Sequence, residues 1–312
     1  MSWSRGAART LAAATADRAP AAAVITADLE GVEVVTIGCS PDDGFEIGSI
    51  TKTMTGILLA DAVVYGRVRL TDPIGGWLDA GENGDITLMQ LATHTSGLPR
   101  LSPSHVSGAP DPYAFLTAET AGHELRISPR RQSPAEHEYS NFGFQILGLA
   151  LERATGTPFA MLLSQQLYAP LAMPCTGVGN VAGVPLLPGH RAGKAVTPWT
   201  HHLAGAGGVV TTVNDMAKYL YACLMPARSP LGLAIELAQR PHHHIDQLRS
   251  VGLGWALGPP GFLGYSGGTS GFRSMLGIKT PDQHAAAILA NAADAQGLAA
   301  LVKSLLDDDH TP

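Results

Sequence analysis

Charge is scarce in this sequence. Asp, Glu, Lys and Arg make up only 15% of the 312 residues, and the formal balance is a mild −6. No Lys/Arg cluster rises out of that acidic background, so the electrostatic footprint of a nucleic-acid partner is missing. Nowhere do 18 apolar residues follow one another, which excludes a membrane-spanning helix and leaves no membrane partner to expect. Cysteine is rare as well. Cys39, Cys175 and Cys223 are widely separated and form no C-x-x-C pair, so a metal knuckle or redox pair is not expected. Three buried thiols in a reducing compartment are the expectation. No sequence feature implies a cofactor or a bound metal.

The N-terminal region lacks something more specific. Ala7–Ala27 is Ala-rich, but Asp17, Arg18 and Pro20 interrupt it and Leu11 is its one large aliphatic before Val24. A secretory leader needs an unbroken apolar stretch, so a helix ending near Asp17 is expected instead. The protein is accordingly expected to be soluble and cytoplasmic. That expectation argues against peptidoglycan trimming and secreted antibiotic defence, whose substrates lie outside the cytoplasm.

What is present is enough hydrophobic content, 45%, for a sizeable core, and 36 Gly with 22 Pro for shaped loops. Ala21–Ala27 and Val32–Ile37 are β-branched-rich runs about Asp28-Leu29-Glu30-Gly31, the pattern of a hairpin. A helix is expected from Ser49 to about Tyr65, with Ile57, Leu58, Ala62 and Val63 at helical spacing and Gly66 as its stop. From Leu70 to about Thr200, helical patches (Leu88–Thr93, Phe142–Thr155, Phe159–Tyr168) alternate with Pro- and Gly-rich loops. Strand character returns at Phe272–Ile278 and His284–Ala290, joined by Thr280-Pro281-Asp282, before a closing helix from about Asp294 to Leu306. The expected fold is therefore α+β. Strands from both chain ends (1–66 and 205–312) join in one mostly antiparallel sheet flanked by terminal helices, with a helical subdomain (67–204) inserted and a site in the cleft between.

The candidate chemistry begins at Ser49-Ile50-Thr51-Lys52. A serine three positions before a lysine at a helix start puts both side chains on one face, and the helix N-terminus favours negative charge there. A partly desolvated lysine becomes a proton acceptor, which is what a serine nucleophile needs. The second element is Tyr139-Ser140-Asn141, where Tyr139 and Asn141 project to the same side of an extended segment. A phenol beside an ammonium can serve as general base and return its proton to a leaving group. A core tyrosine, with Asn141 capping the next helix, accounts for the same residues without chemistry.

Together with Ile86-Thr87-Leu88, the run Leu91-Ala92-Thr93-His94-Thr95-Ser96-Gly97-Leu98-Pro99, the turn Leu70-Thr71-Asp72-Pro73, Glu138 to Gly143, and Ala206-Gly207-Gly208 through Thr212, Asp215, Met216 and Ala217, these segments resemble one family in order. It is the class C β-lactamase-like and serine D-alanyl-D-alanine-peptidase (penicillin-binding-protein-like) family, which includes esterases and acyltransferases. The resemblance runs from about Phe45 to Asn291. It implies Ser49 as acylated nucleophile, Lys52 and Tyr139 as the proton-transfer pair, Asn141 orienting substrate and lysine, and an oxyanion hole of backbone N–H groups. His94 is expected to hold its loop.

The sequence departs from the family pattern in the third motif, K-T-G or H-x-G. Here the matching edge-strand segment is Gly264 to Phe272, with Tyr265 at the cationic or imidazole position. Gly267 is expected to leave space for substrate and Gly268 to give the second oxyanion N–H. Lys279-Thr280-Pro281 is no substitute, because proline lacks an N–H. His242-His243-His244 is expected to be a solvated run, and His201-His202 after Trp199 a lesser candidate for the cleft.

The leading expectation is a serine hydrolase or acyltransferase acting on an ester or amide of a small molecule, as in natural-product metabolism. A β-lactamase or D-alanyl-D-alanine carboxypeptidase is the alternative within the class. A non-catalytic ligand-binding homologue, expected to have lost Ser49, Lys52 or Tyr139, is the alternative outside it.

Overall fold

The first and the last described strands pair side by side near one edge of one sheet. The computed structural model describes residues 19–130, 136–259 and 261–307. The Ala-rich helix expected up to Asp17 lies outside them. β1 (Ala22–Ala27) and β2 (Val32–Ile37) form the expected hairpin, and the short β3 (Gly44–Glu46) leads through a 3-10 turn (Gly48–Ile50) into α1 (Thr51–Val64). The middle of the chain carries α2 (Leu88–Ala92), α3 (Ala118–Ile127), α4 (Asn141–Thr155) and α5 (Phe159–Leu163), the last continued by a π-helical turn (Ser164–Tyr168). Three short strands follow: β4 (Gly177–Val178), β5 (Gly189–Arg191) and β6 (Lys194–Val196). Then come β7 (Val209–Thr212), α6 (Val213–Leu224), α7 (Gly232–Gln239), β8 (His243–His244), β9 (Ser250–Val251), β10 (Ala256–Gly258), β11 (Phe262–Gly268), β12 (Arg273–Lys279), β13 (His284–Ala290) and α8 (Leu298–Asp307).

The large sheet has the order β2-β1-β13-β12-β11-β10-β9-β8, antiparallel throughout, with Ala22 opposite Ala290 and Ala27 opposite Ala285. Alternation along β1 and β13 sends Ala22, Val24, Ala286 and Ile288 to one face and Ala23, Ile25, Ala287 and Leu289 to the other. The first face packs on α8, whose Leu298, Leu301, Val302, Leu305 and Leu306 recur at helical spacing. Each of these side chains contributes about 1.5–3 kcal/mol on full burial. The second face packs on α6. Alanine on both faces lets the helices sit close, so the sheet is covered on both sides: an α+β fold. The closing helix starts four residues later than expected, because Gly297 adopts a left-handed turn (φ 76°) just before it.

α1 is buried on all sides from Thr51 to Ala62, between α4, α7 and a 3-10 turn at Ala204–Ala206. A second, three-stranded sheet (β3-β7-β4) pairs Phe45 with Thr211 and Glu46 with Val210. It anchors the segment that delivers Ser49. No single described helix is long and apolar enough to cross a membrane.

Candidate active site

β3 runs into Gly48, whose φ of 51° lies in the left-handed region. A Cβ there would come within 2.5 Å of the Gly268 nitrogen, so only glycine fits the turn. Ser49 follows in the 3-10 turn and Lys52 one turn later in α1, as the three-residue spacing predicts. The Lys52 ammonium donates to Ser49 Oγ at 2.9 Å and to the Ala206 carbonyl at 2.8 Å. Ser49 Oγ is also 2.9 Å from Tyr139 Oη. Serine, lysine and tyrosine therefore meet.

Tyr139 is aimed by the start of α4. Ser140, not Asn141, caps that helix: its Oγ accepts from the Gly143 N–H at 2.8 Å and donates to the Pro99 carbonyl at 2.7 Å. The Ser140 N–H donates to His94 Nδ1 at 3.0 Å, and the Glu138 N–H donates to the His94 carbonyl at 2.8 Å. His94 thus ties its loop to the tyrosine segment from a left-handed backbone conformation (φ 59°) that histidine tolerates. Its Nε2 lies 3.2 Å from Tyr265 Oη.

Burial sets the protonation of this corner. Lys52 is fully buried, which lowers its pKa against the opposing pull of a charged Tyr139. Burial alone would raise the Tyr139 phenol, but the Lys52 charge, hydrogen bonds from Lys52 and Ser49, and Arg100 outweigh it and bring the pKa below 10. Burial first, then Lys52, His137 and Arg100, push His94 well below its ordinary value, so its ring is neutral.

β11 forms the opposite wall, and here two expectations are corrected. β11 is not an outermost strand, since β10 pairs with it over Phe262–Gly264. Only Tyr265–Gly268 keeps an open edge toward the site among the described residues. The room at Gly267 is not left for substrate. A Cβ there would stand 2.0 Å from the Ile47 carbonyl, which the Ser274 hydroxyl also contacts at 2.8 Å. Gly267 lets the nucleophile turn dock on the strand. For Asn141, which lines the cavity, only the expected contact with the lysine is corrected. Its Nδ2 donates to Tyr113 Oη at 3.3 Å, while Lys52 is oriented by the Ala206 carbonyl; Asn141 Oδ1 is buried and unpaired.

Comparison with known proteins matches the Beta-lactamase family model to residues 7–306. The chain belongs to the beta-lactamase family. The D-alanyl-D-alanine-carboxypeptidase/endopeptidase AmpH of Escherichia coli (strain K12) is 30% identical over 261 residues, 74% of this chain and 66% of its own length. A beta-lactamase of the same organism is 30% identical over 228 residues (68% and 57%). A beta-lactamase of Pseudomonas fluorescens is 29% identical over 225 residues (69% and 60%). The chain thus spans 57 to 66% of the length of these curated relatives.

In this beta-lactamase-family protein the site opens into a cavity of about 530 Å³. Ser49, His94, Tyr139, Asn141, Tyr265, Gly267 and Gly268 all line it, so the structure brings the sequence-predicted residues together, Lys52 lying beneath. Its rim holds residues that sequence reasoning missed: Arg100, Tyr113 and His137. Tyr113 packs edge-on against Trp199 (centroids 5.5 Å apart) and at a tilt against His201 (5.7 Å), which places Trp199 in the wall and His201 behind it. Arg100 lies over the Tyr139 ring at 4.8 Å, and its one sequence signal is that it follows Pro99 of the motif. Arg273, beside Gly268, is anchored through Nε to the Ala293 carbonyl at 2.7 Å. No Asp or Glu stands among the described lining residues. The triple histidine is not helical: His243–His244 form β8, His242 bonds the Leu237 carbonyl and His244 the Ser250 hydroxyl. No cluster of metal-ligating side chains occurs among the described residues.

Proposed function

We propose that this protein is a serine hydrolase or acyltransferase that forms an acyl-enzyme on Ser49 with an ester or amide of a small molecule. The observation that carries the reading is the hydrogen-bonded meeting of Ser49 with Lys52 and Tyr139, each at 2.9 Å, beneath an open cavity. In the proposed mechanism the Tyr139 phenolate, paired with the Lys52 ammonium, takes the Ser49 proton as Oγ attacks the acyl carbon. The Ser49 and Gly268 amides, whose residues both line the cavity, are the donors assigned in this mechanism to the developing oxyanion. The pair then returns the proton to the departing alcohol or amine. Water, or an amine or alcohol acceptor, resolves the acyl-enzyme by the same steps in reverse order.

A second reading is hydrolysis of a β-lactam or a D-alanyl-D-alanine peptide. The names of the relatives favour it, and so do the Arg100 and Arg273 guanidinium groups at the rim, which suit a substrate carboxylate. The two readings share Ser49 and differ in what occupies the rim.

The test is intact-mass spectrometry after incubation with a p-nitrophenyl ester, a penicillin and a D-alanyl-D-alanine peptide. A mass increase equal to one acyl group, absent in Ser49→Ala, is the expected result, and the probe that leaves it identifies the donor class. No adduct with any probe, or one that survives Ser49→Ala, would overturn both readings.

A further inference from the structure

Glu46 is a buried carboxyl that the proposed mechanism does not use. It ends β3, three residues before Ser49, and is 6% exposed. Its partner is not a cation: the Thr269 hydroxyl donates to Glu46 Oε2 at 2.5 Å. Burial raises the Glu46 pKa, and that hydrogen bond opposes the rise. Thr269 is as deeply buried, at 5%, and directly follows Gly268 at the end of β11. Each partner has an anchored backbone. Glu46 pairs with Val210 in the small sheet, and the Thr269 N–H donates to the Phe272 carbonyl at 3.1 Å, in the turn to β12. The bond therefore joins the two sheets beside the reacting serine.

We propose that the Glu46–Thr269 hydrogen bond is a clasp that sets the Gly268 amide relative to Ser49, so that both amides face one oxyanion. The inference rests on the reading of Ser49 as acylated nucleophile. The backbone packing beside the clasp is close. A Cβ on Gly48 would stand 2.5 Å from the Gly268 nitrogen, and one on Gly267 would stand 2.0 Å from the Ile47 carbonyl. Such packing stops the turn and the strand from approaching further, but it does not stop them from parting. Hydrogen bonds do that. The Ser274 hydroxyl holds the Ile47 carbonyl from β12 at 2.8 Å, and Thr269 holds Glu46 from the Gly268 side. Neither Glu46 nor Thr269 is among the described residues that line the cavity, so both are positioning residues. Oxyanion donors act within about 2.7–3.1 Å of the oxygen, so a small parting of the two amides is costly.

The test compares an ester with its sulfur analogue. Saturating acylation rates are measured in single turnovers with p-nitrophenyl butyrate and with its thionoester, whose C=S puts sulfur where the oxyanion would form. Sulfur is larger and a weak acceptor, so the thionoester gains little from a well-set pair of amides. Thr269→Val, which keeps the shape and removes the hydroxyl, is expected to lower the oxo-ester rate about tenfold, less than the roughly 10²–10³-fold cost of deleting a donor. The half-saturating concentration and the thionoester rate are expected to change by less than about twofold. Thr269→Ser, which restores the hydroxyl, is expected to keep the wild-type oxo-to-thiono ratio. Thr269→Val combined with Glu46→Leu leaves no carboxyl buried alone, and its ratio is expected to fall as in Thr269→Val. The double variant decides the matter if the single one does not fold. Equal losses on both esters, or a wild-type ratio in either variant carrying Thr269→Val, overturn the clasp. Ser49→Ala separates the two inferences. If acylation survives in it, the acyl-enzyme reading falls and takes the clasp with it. If acylation is lost there while the Thr269→Val ratio stays at the wild-type value, the clasp alone falls.

Discussion

The corner around Ser49 and the rim above it are built on different terms. In the corner the reactive side chains are held by at least two partners each: Lys52 by Ser49 and the Ala206 carbonyl, Ser49 by Lys52 and Tyr139, His94 by Ser140 and Tyr265. Lys52 stands on α1, Ser49 on the 3-10 turn before it and Tyr265 on β11, while Tyr139 and His94 lie just outside α4 and α2 and are tied together by the Ser140 and Glu138 amides. At the rim, Arg100 and Arg273 are exposed, Tyr113 and Trp199 stand on loops, and Asn141 Oδ1 has no partner. Rigid groups with satisfied hydrogen bonds suit bond-making, where small displacements are costly. Exposed, loop-borne groups suit discrimination among substrates. The comparison teaches that the reaction class is set below and the substrate above.

The sharpest way to break that division is within the corner. Lys52→Ala and Tyr139→Phe are each expected to lower the acylation rate by at least about 10²-fold, the ordinary worth of general acid–base catalysis. Because the two share one proton, the double variant should fall little further than the worse single one. Single-turnover acylation measures this. Additive losses, or near wild-type rates, would separate the two side chains and undo the corner as a unit. Next in size is Gly267→Ala. Its Cβ, 2.0 Å from the Ile47 carbonyl, has backbone to displace, not a flexible side chain. Moving the turn by about 1 Å is expected to cost on the order of 10²-fold in rate, together with about 1–3 kcal/mol of stability from overpacking. Acylation kinetics beside thermal melting distinguish the two. Unchanged kinetics would mean that the docking of the turn on β11 does not position Ser49.

How much of this was legible in the sequence follows the same line. Ser49 and Lys52 are three residues apart on one helix, so local geometry alone puts them together. The β1–β2 hairpin and the β12–β13 pair announce themselves as β-branched-rich or apolar runs about turn residues. The Tyr139 segment and His94 were legible through motif resemblance, but their contact was not, because it is made across 46 residues of chain. The acceptor that orients Lys52 is a backbone carbonyl, and every residue has one, so no side chain could signal Ala206. The role of Gly267 was misassigned for a related reason: a missing Cβ tells that something approaches, not what. β4 to β6 and β8 to β10 are two or three residues long, too short for any periodicity to register. Tyr113 and Trp199 sit among Pro and Gly, and only tertiary packing brings their rings within 5.5 Å.

The smallest expected effect is the one that sharpens the rim. Tyr265 provides no charge, which by itself points to an uncharged ester or amide; Arg100 and Arg273 point the other way. Of the two, Arg273 is the cleaner probe. Arg100 covers the Tyr139 ring and helps lower its pKa, so removing it disturbs chemistry and recognition together. Arg273 touches neither Lys52 nor Tyr139 in any described contact and is fixed by the Ala293 carbonyl. Arg273→Ala is therefore expected to lower kcat/KM for a carboxylate-bearing cephalosporin about tenfold, mainly through KM. That is less than the full 1.5–3 kcal/mol of a buried charged hydrogen bond, because the side chain is exposed to water and screened. An uncharged aryl ester should change by less than about twofold. Raising the salt concentration should narrow the gap between the two substrates in the wild type and leave the variant nearly unaffected. Equal losses on both substrates would make Arg273 a structural support for Gly268. No loss on either would return the rim to an uncharged substrate, with Tyr113 and Trp199 as its recognition surface.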